Sequence, residues 1–270
     1  MTPICHSTCK PSLGTVLRLA LANRRLSDIP VLEMYPHRAD HKRPLVIMVH
    51  GLAARKENVL PYAYYIAAEG YHTIIFDAHN HGELETTQFR EYSDVEKKAH
   101  MFTVVFESSK NITAIITAFA DHPTVDSNRV GLVGFSMGGM IVYDYISRRR
   151  SPQVKAAVPI IATPEWGKSI RRNAARDPDY ARCFDEQKIR QIEQRQPSNY
   201  LSALKDFPLL ILNGELDEIM PIEDARGFYQ KARQNYAQQK LIQLIEYKNT
   251  GHTPTFEMIS DAVVWLKKYL

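Results

Sequence analysis

Arg129-Val130-Gly131-Leu132-Val133-Gly134-Phe135-Ser136-Met137-Gly138-Gly139-Met140-Ile141-Val142-Tyr143 reads as a strand, a sharp turn and a helix, with a serine at the apex. Within it, Gly134-Phe135-Ser136-Met137-Gly138 matches Gly-x-Ser-x-Gly, the nucleophile elbow. A serine in a strained strand-to-helix turn needs neighbours without side chains. The backbone then folds tightly and the hydroxyl stands exposed. Glycine and serine are common, so five residues match often by chance. The apolar run before the match and the helical pattern after it give it weight.

An alcohol is a poor nucleophile at neutral pH. It needs an adjacent base, and the base needs an orienting carboxylate. For this elbow the chain order is serine, acid, histidine. Thr250-Gly251-His252-Thr253-Pro254 follows the last strand pattern, where a histidine can lean over the strand ends towards Ser136. The acid belongs after the preceding strand, in Asn213-Gly214-Glu215-Leu216-Asp217-Glu218-Ile219-Met220-Pro221. Asp217 is the choice there, with Glu215 and Glu218 as positional alternatives.

A tetrahedral intermediate needs an oxyanion hole, usually two backbone N–H groups. Met137 supplies one at the start of the elbow helix. The loop His50-Gly51-Leu52-Ala53-Ala54, after the strand Leu45 to Val49, supplies the other from Leu52. His50 is then expected to tie that loop by hydrogen bonds. As a base it is disfavoured, because it precedes the elbow and has no orienting acid nearby. Asp77-Ala78-His79-Asn80-His81-Gly82 invites a metal reading through its His-x-His spacing. Ser136, Asp217 and His252 explain the chemistry without metal, so Asp77 and His81 are expected to fix local backbone geometry.

Outward from the elbow the pattern alternates. Strands are predicted at 29–35, 44–49, 71–76, 130–133, 154–161, 209–212 and 241–247. Helices are predicted at 57–69, 95–119, 137–149, 222–236 and 255–269. That rhythm implies a mostly parallel sheet with helices on both faces and ligands at the carboxyl ends of the strands. Residues 164–206 break it. They are charged, carry Trp166, Tyr180, Phe184 and Tyr200, and hold no convincing strand. A small helical cap over the strand ends is expected, its four aromatics facing an apolar substrate pocket and its arginines a solvated face or an anionic ester.

The 270 residues suffice for a large core, and 44% hydrophobic with 24% charged residues is ordinary for a soluble protein. Net charge is +4. The clusters Arg148-Arg149-Arg150 and Arg171-Arg172 lack interleaved aromatics, which argues against nucleic acid. Arg148 to Arg150 read as a helix end, where cations complement the dipole. Three cysteines argue against a disulfide framework. Cys5-His6-Ser7-Thr8-Cys9 is half a metal motif without a second half, read as a flexible tail. Arg18 interrupts the only early apolar stretch, so neither an export signal nor a membrane span is expected, and the cytoplasm is the default compartment.

Taken together, His50-Gly51, Asp77 to Gly82, Gly134 to Gly139, Asp217 to Pro221 and Gly251-His252 resemble the α/β-hydrolase superfamily in order and spacing. The closer likeness is to small carboxylesterases of the dienelactone hydrolase and prolyl oligopeptidase-like branch. There a strand like Ile29-Pro30-Val31-Leu32 opens the domain, and a loop like Asp77 through His81-Gly82 follows the next parallel strand. The likeness spans 24–270 and leaves 1–23 as an N-terminal extension. It implies an α/β-hydrolase fold with a doubly wound, mostly parallel eight-stranded sheet. It also implies a serine carboxylesterase that hydrolyses short-chain acyl esters through an acyl-enzyme on Ser136. His252 would be the base, Asp217 its orienter, and Leu52 and Met137 the oxyanion donors. No cofactor or metal is implied, and the partner is a small-molecule ester, with neither nucleic acid nor membrane. Dienelactone hydrolases proper use a cysteine nucleophile, whereas this chain has Ser136 and carries Cys183 in the cap. The same residues would serve a small peptidase or amidase, since esters and amides share the intermediate. A non-catalytic ligand-binding protein on this fold should lack a triad member, and all three are present.

Overall fold

The computed structural model describes residues 18–37 and 41–270. In chain order its elements are β1 (Leu19–Leu26), β2 (Ile29–Pro36), β3 (Arg43–Val49), α1 (Leu60–Ala68), β4 (His72–Phe76), α2 (Thr87–Glu91), α3 (Asp94–Ala118), β5 (Val125–Phe135), α4 (Met137–Arg148), β6 (Val154–Ile160), α5 (Trp166–Arg176), α6 (Pro178–Arg182), α7 (Glu186–Glu193), β7 (Leu209–Gly214), α8 (Ile222–Arg233), β8 (Ile242–Tyr247) and α9 (Phe256–Tyr269). The strands form one sheet in the order β1-β2-β4-β3-β5-β6-β7-β8. Neighbours from β4 through β8 pair in parallel, and only the β1-β2 and β2-β4 pairs are antiparallel.

Strand alternation sends each central strand into two cores. Leu45, Ile47 and Val49 face one apolar cluster with residues of α3, α4, α5 and α8. Val46 and Met48 face the other, built with residues of α1 and α9. All five are fully buried. A strand buried on both faces reads as an unbroken apolar run, which is why Leu45 to Val49 was legible. The chain therefore has the doubly wound α/β-hydrolase architecture, with helices on both faces.

One boundary needs correction. The extension expected at 1–23 overlaps β1: Leu19–Leu26 is a strand of the sheet, paired with β2 from Leu19↔Pro36 to Leu26↔Ile29. It is an edge strand whose positions are all half-buried or exposed, so it lacks the apolar signal of its neighbours. The Cys5-His6-Ser7-Thr8-Cys9 motif lies outside the described residues. Between β6 and β7, the stretch 164–206 holds α5, α6, α7 and two 3-10 turns. The two arginine clusters are absorbed locally. Arg148 and Arg149 end α4 beside Asp144, while Arg171 and Arg172 pair with Glu193 and Asp224. No helix among the described residues is long and apolar enough to cross a membrane.

Candidate active site

Ser136 stands at the carboxyl end of β5 with φ 53° and ψ −116°. That conformation is costly for a residue with a side chain and persists only where the surroundings impose it. They do so here. Ser136 N–H donates to Ile160 O at 2.9 Å, and Ser136 O accepts from Met140 N–H at 3.0 Å. A Cβ on Gly138 would lie 2.3 Å from Val49 O, so only glycine lets α4 start this close to the end of β3.

Later loops bring the other two residues to Ser136. Ser136 Oγ is 2.8 Å from His252 Nε2, and His252 Nδ1 is 2.8 Å from Asp217 Oδ2. A carboxylate can only accept, so Nδ1 carries the proton and Nε2 is the free acceptor for the serine hydroxyl. Asp217 is buried, and its Oδ1 accepts from Ile219 N–H at 3.0 Å and Met220 N–H at 2.8 Å. Those bonds fix the orientation of the carboxylate. Glu215 and Glu218, the positional alternatives, are exposed.

The loop that carries Leu52 packs beside the elbow. A Cβ on Gly51 would lie 3.4 Å from Ser136 Cβ, so the 50–54 loop packs directly on the elbow. Leu52 N–H and Met137 N–H make no hydrogen bond among the described residues.

His50 braces this loop. It is fully buried, donates from Nδ1 to Gly51 O at 2.8 Å, and accepts at Nε2 from Ala78 N–H at 3.0 Å. Burial pushes its pKa down to about 4. His81, from the loop after β4, braces the same loop from the other side of the contact. Its Nε2 accepts from Ala53 N–H at 3.2 Å and its Nδ1 donates to His79 O at 2.9 Å. Burial lowers its pKa as well. Both nitrogens of each ring are thus spent on backbone.

Asp77 is spent too. Its carboxylate accepts from Lys56 N–H and Nζ, both at 2.9 Å, and from Glu83 N–H at 3.1 Å. Gly82, at φ 55°, closes against it, and a Cβ there would meet Asp77 Oδ1 at 2.2 Å. Asp77 and His81 therefore hold backbone, as the sequence suggested. Lys56 was not anticipated. It reads as a surface lysine beside Arg55, yet it is buried, with Nζ on Asp77, Glu83 and Glu57.

A cavity of about 450 Å³ opens over Ser136 and His252. Phe135, Tyr62 and Pro254 line one wall, and Met101, Ser169, Asn173 and Tyr180 line another. Of the four cap aromatics expected there, only Tyr180 lines it. Trp166 is fully buried against Phe102 and Phe106, Phe184 packs on Tyr180, and Tyr200 receives the Arg148 guanidinium. Trp166 carries more apolar surface than any neighbour in its helix, so the core takes it. Helix α5 is pinned by Arg172 on Asp224 at 2.8 Å and by Arg176 on Glu218 O at 3.3 Å. Tyr62 and Phe135 were missed as wall residues. The only sequence sign was Phe135 inside the motif itself.

The chain also matches known proteins. The model of the dienelactone hydrolase family matches residues 29–260. The chain belongs to the dienelactone hydrolase family. It is a carboxylic ester hydrolase. Other relatives of this dienelactone hydrolase-family protein include YitV of Bacillus subtilis (strain 168), 27% identical over 93% of this chain and 100% of that one. Esterase YjfP of Escherichia coli (strain K12) is 24% identical, again over 93% and 100%. The crystal structure of TT1662 from Thermus thermophilus shares the fold at TM-score 0.74 and 20% identity, covering 93% of this chain and 98% of that chain.

Proposed function

We propose that this chain hydrolyses short-chain acyl esters through a covalent acyl-enzyme on Ser136. The observation that carries this reading is the continuous relay from Ser136 Oγ through His252 to Asp217, 2.8 Å at each step. His252 Nε2 takes the hydroxyl proton as Oγ attacks the acyl carbon. The carbonyl oxygen gains charge and is held by the N–H groups of Leu52 and Met137, a contribution of ~10²–10³ per donor in related chemistry. The bond to the alcohol oxygen then breaks, and His252 returns its proton to that oxygen. Water enters, gives a proton to His252 and attacks the acyl carbon; collapse releases the acid and restores Ser136. Asp217 stays ionised throughout and keeps Nδ1 protonated.

The modest cavity supports a small-molecule substrate. The working compartment in this proposal is the cytoplasm, in keeping with a low cysteine count and a free Cys183. A panel of p-nitrophenyl esters of graded acyl length tests the reading on wild type and Ser136→Ala. Turnover should be highest with short acyl groups and vanish in the variant. A preference that rises steadily with long chains would overturn the short-chain assignment.

A further inference from the structure

From the Ser136 pocket a ladder of aromatic rings climbs to the surface. Phe135, next to the nucleophile, lies 5.1 Å from Tyr62, ring centre to ring centre. Tyr62 lies 5.3 Å from Phe256, Phe256 4.9 Å from Tyr65, and Tyr65 6.2 Å from Tyr64. The first two line the cavity, whereas Phe256, Tyr65 and Tyr64 are about half exposed. Single exposed apolar residues are ordinary, but a contiguous strip that continues a pocket marks a binding surface.

The position of the strip says which half of the ester it meets. Tyr62 Oη donates to Pro254 O at 3.1 Å, so this wall is tied to the loop that carries His252. Its rings pack on the α1/α9 core, whereas Met101 and Tyr180 of the other wall belong to the α3/α5 core. In the acylation step the carbon–oxygen bond breaks, the electron pair goes to the alcohol oxygen, and the His252 proton neutralises it. That oxygen must lie within hydrogen-bond reach of Nε2, so the alcohol chain leaves alongside the histidine loop.

Resting on the esterase reading above, we propose that Tyr62, Phe256 and Tyr65 form a subsite for an aryl or medium-length alkyl alcohol, with the short acyl group against Met101 and Tyr180. The substrate class is then an ester of a short acid and a bulky apolar alcohol.

Two ester series separate the halves. One holds acetate constant and varies the alcohol from ethyl through butyl to benzyl. The other holds ethanol constant and varies the acid. Only kcat/KM reports the alcohol half, because every acetate gives the same acyl-enzyme. Wild type should favour benzyl over ethyl acetate by tenfold or more. In Phe256→Ala and Tyr65→Ala that benzyl-to-ethyl ratio should fall roughly three- to tenfold, the worth of one aromatic contact. The ratios across the acid series should be the same in variants and wild type. No dependence on alcohol size, or variants that compress both series alike, would overturn the subsite while leaving the esterase reading intact. Turnover of no ester in either series would overturn both.

Discussion

His50 Nε2 accepts a hydrogen bond from Ala78 N–H at 3.0 Å, and this contact joins the loop after β3 to the loop after β4. The bond requires an unprotonated nitrogen. Burial accordingly holds the His50 pKa at about 4, against an ordinary 6.5. Above pH 6.5 both folded and unfolded chains are neutral at this residue, and its contribution is fully present. As pH falls from 6.5 towards 4 the unfolded chain takes a proton that the folded one refuses. Stability should therefore decline across that window, by about 3 kcal/mol from His50, with a further decline in the same direction from His81. Urea melts at pH 7.5 and pH 5 check this. His50→Gln should start less stable and show a shallower decline; a decline equal to wild type would exclude His50 as its source.

Asp217 should matter through the tautomer of His252. Asp217→Asn puts an amide opposite Nδ1 and favours the ring with its proton on Nε2, the wrong side for Ser136. A fall in kcat of roughly 10⁴ is expected, with little change in melting temperature. Glu215→Gln, at an exposed position of the same loop, should change kcat less than twofold. Steady-state kinetics on a p-nitrophenyl ester distinguishes the two.

Lys56 and Asp77 form a buried ion pair at 2.9 Å. Lys56→Met removes the cation and leaves the carboxylate stranded, at an expected cost of about 3–5 kcal/mol. Adding Asp77→Asn should recover part of that loss. Urea denaturation of the single and double variants measures it, and equal stability of the two would show that the pair is uncoupled.

Glycines 138 and 227 should respond oppositely to alanine. At Gly138 the new methyl would meet Val49 O at 2.3 Å, whereas at Gly227 in α8 nothing lies within 4 Å. Gly138→Ala should cost about 3 kcal/mol or more. Gly227→Ala should gain roughly 0.5–1 kcal/mol from helix propensity. Thermal melts with opposite shifts in Tm are the expected result.

Much of this was legible in the sequence because its physics is local or strictly ordered. The strand run Leu45 to Val49 is buried on both faces, and Gly134 answers to the backbone of Gly138 and Gly139 a few residues away. By position alone Glu215 and Glu218 were alternatives to Asp217; what separates them is that the shorter Asp217 side chain folds back onto the Ile219 and Met220 N–H groups and is buried. Three features were not legible. β1 is a half-exposed edge strand, so its alternation is weak. Lys56 looks like a surface residue until Asp77 arrives from 21 positions away. Trp166 and Tyr200 looked like pocket residues, but aromatic character does not tell a side chain that faces a cavity from one that fills a core.

The most direct measurement is intact-protein and peptide mass spectrometry after a fluorophosphonate probe. One probe should add to wild type, on the peptide that contains Ser136, in step with loss of ester turnover, and Ser136→Ala should take up none. A fully labelled protein that still hydrolyses the ester, or turnover retained by Ser136→Ala, would contradict the assignment of Ser136 as the nucleophile.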